Sequence, residues 1–516
     1  MGSFFEDLLL GAATGILGRN EINEIVINRI VNRSRNRPHP YSTREDYISW
    51  SGLTDRTYNA RLLPPDPYPA VEAPNTRRPP IADVPALFAP PGGQQRLCTK
   101  STCLFPAFAQ YLTDGFIRTK VSNNPANDDR RRTTSNHEID LSPLYGRTEA
   151  QTRVLRDTQG RLRSQIINGE EFPPFMYDSN GAPDPRFCDA NGALVLDEPL
   201  GISAVTPAQK QRLFAVGGDR ANATTQVAMM NTLFFREHNR LAGLISAQNA
   251  GWDDERVFQT VRNIVIVMFI KIVIEEYINH INTSPFRFIA NPKVAWDARW
   301  NRPNWMTAEF SLLYRWHSLV PEQMTMRGAS VPAAGLLFNN QLLIDHGLAN
   351  AFVEVSANRA TQLGLHNTAS FLQRFEAMAI SQARDLNIGT YAAYRRAMSY
   401  DVPSSFAKIV GRSDNAAEQA RRQALAAELQ ALYGSVGNVE FYVGLFAEPN
   451  ADNGPLPDLL TSMVAMDAFS QALTNPLLSR HVWGERANQR LAFTDLGLAE
   501  IAATHSLRDI LNRNAP

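Results

Sequence analysis

The stretch DERVFQTVRNIVIVMFIKIVIEEYINHI, residues 254–281, decides the fold. Its apolar content is high enough to suggest a membrane span, which needs about 20 predominantly apolar residues. Arg262, Lys271, Glu275 and Glu276 interrupt it, however. Its apolar residues recur at three- and four-residue spacing, the period of a helix that buries a broad face. It therefore reads as a core helix and not as a transmembrane span. The segment TQVAMMNTLFFREHNRLAGLISAQ (225–248) has the same period, and helical patterns resume at 368–384, 416–433 and 456–475. Strand-like alternation is scarce and no internal repeat is present. The expected fold is mainly α-helical.

Length and composition narrow the class. With 516 residues, 44% of them hydrophobic, the chain can enclose a cofactor in its core. No composition break divides it, so one large catalytic unit, residues 41–516, is expected behind a short N-terminal helical segment, residues 1–40. Lys plus Arg total 51 against 51 for Asp plus Glu, which leaves no electrostatic case for nucleic acid. The run Asp128–Arg132 reads as a solvated loop. The proline-rich segment 63–91 is incompatible with helix and reads as extended chain over the surface. Cys98, Cys103 and Cys188 form neither a secreted disulfide framework nor a metal-ligand spacing. Cys98 and Cys103 could pair or stay free thiols. The first residues lack the basic region of a signal peptide and carry Glu6 and Asp7. Apolar residues within 1–30 suit either a membrane-docking helix or one packed on its own domain. A cytoplasmic location, peripheral on a membrane at most, is expected.

The stretch FSLLYRWHSLVP, residues 310–321, carries the chemistry. On one continuous helix Tyr314 and His317, at i and i+3, would share a face. Neutral imidazole binds iron well, and the adjacent Tyr314 and Trp316 rings are oxidisable. Taken alone, a histidine on an apolar helix is more often a satisfied core residue.

Other stretches change that balance. DYISWSGLTDRTYNARLLP (46–64), FAQYLTDGFIRT (108–119), IDLSPLYGRTEAQTRVLRD (139–157), NTLFFREHNRLAGL (231–244), AEFSLLYRWHSLVP (308–321) and VEFYVGLF (439–446) occur in an order that resembles the peroxidase–cyclooxygenase haem superfamily. Within it, the chain looks most like the prostaglandin G/H synthase-like fatty-acid oxygenases. The resemblance implies non-covalent haem b with His317 as the iron's proximal axial ligand. It implies that Tyr314 becomes a radical that takes a hydrogen atom from an unsaturated fatty acid, after which O2 adds to the carbon. Tyr442 would communicate with the proximal imidazole through water. Trp316 and Asn239 would lie on the cofactor side, and Arg236 would meet Glu237 or a haem propionate.

The distal side departs from the family pattern. Gln110 is kept, but Asp114 stands where the family has a histidine that moves the peroxide proton. Thr113 stands where the peroxidase branch carries a haem-linking aspartate, so a covalent ester is not expected. Calcium is doubtful: the loop 136–142 keeps Asp140 and Ser142, but Gly115 replaces an acidic ligand. Ser470 and Phe469 fall on the substrate channel, Asp467 is foreign to an apolar one, and Arg33 is the choice for the substrate carboxylate. Relatives often form homodimers. The expected function is a haem-dependent fatty-acid dioxygenase with weak or altered peroxidase activity. The alternatives are a haem peroxidase or lipid-hydroperoxide isomerase using Asp114, and a catalytically weak haem- or lipid-binding protein.

Overall fold

The computed structural model describes residues 18–33, 39–66, 78–451 and 454–514. The helices that position the site are α1 (Arg19–Asn32), α2 (Leu104–Asp114), α3 (Thr225–Gln248), α4 (Asp254–Ile281), α5 (Ala308–Leu313), α6 (Gln373–Asp385), α7 (Phe441–Ala447) and α8 (Asp458–Leu473). Among the described residues, strands form only two-stranded antiparallel pairs, so helix packing builds the core.

Helices α3 and α4 lie side by side at the centre. Leu233 and Phe234 of α3, and Ile264 and Met268 of α4, have no exposed surface. The Asp253 side chain caps α4 by accepting from the Arg256 amide at 2.8 Å, with Asp254 and Glu255 at the positive end of the helix dipole. Of the most apolar 18-residue window of α4, 78% is buried in the protein, so the stretch is a core helix. Its polar interruptions each dock a neighbouring segment. Arg262 covers the Tyr145 ring, and Lys271 Nζ donates to the Ile501 and Ala502 carbonyls, both at 3.0 Å. Glu275 accepts from the Ala290 amide at 3.1 Å, and Glu276 from the Leu507 amide at 2.8 Å. The last turns of α4, Val273–Ile278, widen into a π-helix, a form seen mostly as single bulges at functional sites.

The FFREHNR segment of α3 is a buried polar knot. His238 Nε2 donates to the Gly160 carbonyl at 2.8 Å, so Nδ1 accepts from the Tyr145 hydroxyl at 2.9 Å. Burial holds this imidazole neutral by lowering its pKa to about 3. Arg236 does not meet Glu237; it pairs with Glu170 at 2.7 Å and donates to the Glu171 carbonyl at 2.6 Å. Glu237 is taken instead by Arg240, Arg513 and Asn514. Asn239 brackets the Leu162 backbone from both sides and donates to Glu171 at 2.9 Å. These bonds pin the hairpin Gln165–Ile167 and Glu170–Phe172, and the C-terminal helix Leu507–Asn514, to the core.

Two surface expectations are corrected. Residues Asp129–Thr133 form a strand paired with Thr119–Lys120, and Arg130 bonds Ser381 at 2.7 Å and Asp385 at 3.0 Å, so the charge run is tied down. The proline segment makes 3-10 turns at Ile81–Asp83, Pro85–Phe88 and Pro91–Gly93, and buries Leu87 and Phe88. Its residues 67–77 lie outside the described residues. Helix α1 buries Ile22, Ile27 and Val31 and packs on α8. Residues 1–17, the apolar part of the membrane-docking expectation, lie outside the described residues. Cys98 and Cys103 are buried free thiols.

Candidate active site

Tyr314 and His317 do not share a helix. Helix α5 ends at Leu313, Tyr314 takes its C-cap position, and Trp316 adopts φ −92°, ψ 44°. The Trp316 indole caps the break by donating to the Leu313 carbonyl at 2.7 Å, one of the carbonyls a helix end leaves without a partner. His317 then opens a 3-10 turn, His317–Leu319. The turn is held by Thr361, which donates to the Ser318 carbonyl at 2.6 Å, and by Ser318 Oγ, which accepts from the Gly364 amide at 3.1 Å.

The break sends the two side chains into different surroundings. The Tyr314 ring stacks on Trp316 with centroids 4.6 Å apart and lies 4.7 Å from Phe310. Its hydroxyl accepts from Tyr277, on the π-helical turn, at 3.4 Å. Phe105 stacks on both Tyr277 and Trp316, which closes an aromatic box. Burial raises the Tyr314 pKa well above that of a free phenol, with the Asp467 charge adding to the effect.

His317 turns Nδ1 toward Glu376, with 3.2 Å between Nδ1 and Oε1. Nδ1 is buried while 23% of the side chain stays accessible, so the open part of the ring is away from Glu376. A carboxylate facing Nδ1 favours the tautomer with the proton there, leaving the Nε2 lone pair for a metal. Glu376 is 1% exposed. It also accepts from the Tyr442 hydroxyl at 2.6 Å and from Thr368 at 2.8 Å. The link expected between Tyr442 and the imidazole therefore runs through this carboxylate. Tyr442 is placed by close packing of α7: a Cβ on Gly444 would come within 2.3 Å of the Tyr391 ring.

On α2, Gln110 and Asp114 are one turn apart on a shared face. Asp114 is 5% exposed, and burial raises its pKa to about 7 against opposing pulls from Arg220, Arg118 and the Gln110 amide. Arg220 Nη1 lies 3.9 Å from Asp114 Oδ1 and donates to the Ile117 carbonyl at 2.9 Å. Arg315 is within electrostatic reach of Arg220 on one side and of Tyr442 and Glu376 on the other. That links the Asp114 and His317 halves. Thr113 turns its hydroxyl to the Ala109 carbonyl of its own helix. Asp140 is occupied by the Ser142 amide and Asn136.

Arg33 and Phe469 line one cavity together with Ile278, Ile281, Phe288 and Val464. It holds about 590 Å³ of empty space, part of it open to solvent. The Arg33 guanidinium stacks over Tyr400 and donates to the Met398 carbonyl at 2.9 Å. Ser470 is not on that lining; it is fully buried and donates to the Asp467 carbonyl at 3.0 Å. Asn239 and Arg236 belong to the knot on α3. Three residues went unmarked in the sequence: Glu376, Arg220 and Tyr277. A signal existed for Glu376, which shares the helical spacing of buried Ala379, Ile380 and Ala383 and so puts a carboxyl on the inner face of α6.

The residues present fit haem: an imidazole, His317, whose ring is partly accessible, with the positive charges of Arg220 and Arg315 in the same region. The comparisons agree. Residues 59–516 match the family described as animal haem peroxidase. Prostaglandin G/H synthase 1 of Rattus norvegicus is 27% identical over 477 residues, which cover 90% of this chain and 73% of that protein. Among solved structures, peroxidase A from Dictyostelium discoideum superposes with a TM-score of 0.66 at 19% identity, covering 92% of this chain and 97% of that one. The fatty acid alpha-dioxygenase of Oryza sativa superposes with a TM-score of 0.67 at 14% identity, covering 97% and 90%.

Proposed function

This chain belongs to the animal haem peroxidase family, and from that premise we propose that it is a haem-dependent fatty-acid dioxygenase. The observation that carries the reading is the Tyr314 phenol, buried in an aromatic box and bonded to Tyr277, three residues from a histidine with a partly open ring. His317, through Nε2, would hold haem b non-covalently, and the haem would supply the oxidising power for the Tyr314 ring. Trp316 stacks on Tyr314 and directly precedes His317, so the path from ring to ligand is short.

The Tyr314 phenoxyl radical takes a hydrogen atom from an unsaturated fatty acid and becomes a phenol again. O2 adds to the carbon radical. The resulting peroxyl radical takes the hydrogen atom back from Tyr314, which yields a hydroperoxide and restores the phenoxyl. The cavity lined by Arg33, Phe469 and Ile278 lies beside the π-helical turn that carries Tyr277, and suits an apolar chain with its carboxylate at Arg33.

The test is oxygen uptake by the haem-reconstituted protein with linoleate and arachidonate, with and without a trace of hydroperoxide primer. Uptake that needs the primer supports the reading. A haem-loaded protein that consumes no oxygen on either acid refutes it. A second reading rests on the Asp114–Arg220 pair: Asp114, poised near neutrality, serves as the proton carrier of a peroxidase or lipid-hydroperoxide isomerase. In that case Asp114→Ala abolishes hydroperoxide turnover while Tyr314→Phe spares it. A third reading, haem or lipid binding with little catalysis, fails on any multiple turnover.

A further inference from the structure

We propose that Arg96, Arg421 and Arg422 form a phosphate-binding site, beside the segment 362–365 that latches the turn carrying His317. The site does not use Tyr314, Asp114 or the Arg33 cavity, so it stands apart from the oxygenase reading.

The helix Ala416–Tyr433 places Glu418, Arg421 and Arg422 at i, i+3 and i+4, on one face. That face borders a pocket of about 310 Å³, part of it open to solvent, whose other walls include Gly364, Leu365 and Phe446. Arg96, just before the strand Leu97–Thr102, reaches the same pocket and donates from Nη2 to the Leu365 carbonyl at 3.0 Å. Glu448 also lines it, but this carboxylate is engaged by Arg395 and by the Tyr391 hydroxyl.

The charges in the pocket do not balance. Glu418 accepts from Arg421 Nε at 2.8 Å and Nη2 at 2.6 Å, and from Arg422 Nε at 2.9 Å. Arg96 Nη1 lies 3.7 Å from the same carboxylate. One negative charge thus faces three guanidiniums, an excess of two positive charges among the described residues. Arg96, Arg421 and Arg422 keep only 24%, 23% and 15% of their side chains accessible. Burial first, then the Arg421 charge, pushes the Arg96 pKa down to about 10. Among the described residues, Arg96 Nε and Nη1 and Arg421 Nη1 have no hydrogen-bond acceptor. A guanidinium stays charged at neutral pH, so donors left in this condition call for an anion.

Phosphate matches that demand. It carries close to two negative charges near neutral pH and offers several acceptor oxygens, and guanidinium is its favoured partner. A carboxylate would balance only one of the two charges. Binding turns the Arg96 and Arg421 guanidiniums toward the pocket, where the anion takes up the three nitrogens that lack acceptors.

The experiment titrates the haem-reconstituted full chain with sodium phosphate near neutral pH by calorimetry, with sodium acetate and sodium chloride at equal ionic strength as references. Phosphate should bind saturably at one site per chain, and the references should not. Arg96→Gln and Arg421→Gln should each weaken it by about 10- to 100-fold, the range for a hydrogen bond to a charged group. Glu418→Gln removes the competing carboxylate and should bind phosphate more tightly, a direction that a cluster serving only the fold would not take. If Glu418→Gln fails to fold, the two arginine variants still decide. A second arm uses glycerol phosphate: binding as tight as that of inorganic phosphate supports a site for phosphorylated small molecules, and binding of inorganic phosphate alone supports a site for the free anion. Phosphate binding no stronger than that of acetate or chloride overturns the inference. So does unchanged binding in Arg96→Gln, or weaker binding in a folded Glu418→Gln.

Discussion

Two histidines, His238 on α3 and His317 after α5, have opposite hydrogen-bond balances. His238 has both nitrogens engaged, by Tyr145 and by Gly160, and no exposed surface. His317 has one nitrogen facing a carboxylate and part of its ring open. The first has no lone pair to offer and can only hold the fold together. The open side of the second is the feature that the proposed haem ligation draws on. A similar contrast separates Glu237, whose two carboxylate oxygens accept from Arg240, Arg513 and Asn514, from Asp114, whose Oδ1 lies 3.9 Å from Arg220 and whose Oδ2 has no hydrogen-bond partner among the described residues. Pairing at His238 and Glu237 is spent on holding neighbouring segments together.

The largest effect should come from exchanging the two histidines' losses. His317→Ala should abolish haem retention with folding little changed. His238→Ala should keep stoichiometric haem in the folded fraction but lose on the order of 3 kcal/mol of stability, from two buried hydrogen bonds and a cavity. Haem titration and urea unfolding of both variants measure this, and haem loss in His238→Ala would break the contrast. Next is Tyr314→Phe, expected to lower fatty-acid oxygenation by more than about 100-fold, ~3 kcal/mol of barrier, while hydroperoxide consumption persists. Oxygen-electrode and peroxide assays run side by side would show it.

Asp114→Asn should lower hydroperoxide cleavage by roughly 10²–10⁴-fold, the usual worth of a proton carrier. In the parent, cleavage should rise as pH passes upward through about 7, because the ionised carboxylate accepts the proton. Stability should move the opposite way. The folded protein holds this proton up to about 7 and the unfolded chain only to its ordinary 3.8, so stability falls between those pH values and levels off above. The Asn variant should lack that slope; thermal melts from pH 4 to 8 decide it. The smallest effect should come from Arg33→Gln, an about 2- to 5-fold rise in KM for the fatty acid, in keeping with ~0.5–1 kcal/mol from an exposed ion pair. A change in kcat instead would place Arg33 nearer the reacting carbons.

What could be read from the sequence depended on distance along the chain. The 225–248 and 416–433 patterns match helices Thr225–Gln248 and Ala416–Tyr433 to the residue, because their periodicity and their caps, Thr224 and Asn415, are local. The break after Leu313 was not legible. It depends on one indole reaching one carbonyl, and residue types alone allowed a continuous helix. Gln110, Asp114 and His317 could be singled out as residues, but Glu376, which faces His317, could not, since it meets it only after α6 folds back. Asn239 was misplaced because REHNR reads the same whether it faces a cofactor or Leu162.

The π-helical turn at Val273–Ile278 has a consequence for how this sequence can change. Such a turn is one residue of surplus chain wound into an otherwise regular helix. Deleting one residue from it would restore the α-helical repeat and leave the helix on either side in nearly the same register, because the wide turn has already taken up the surplus. The change would be confined to the turn itself, whose backbone sets the Tyr277 hydroxyl against Tyr314. A single in-frame codon deletion there would therefore disturb the tyrosine pair while the rest of α4 stayed packed.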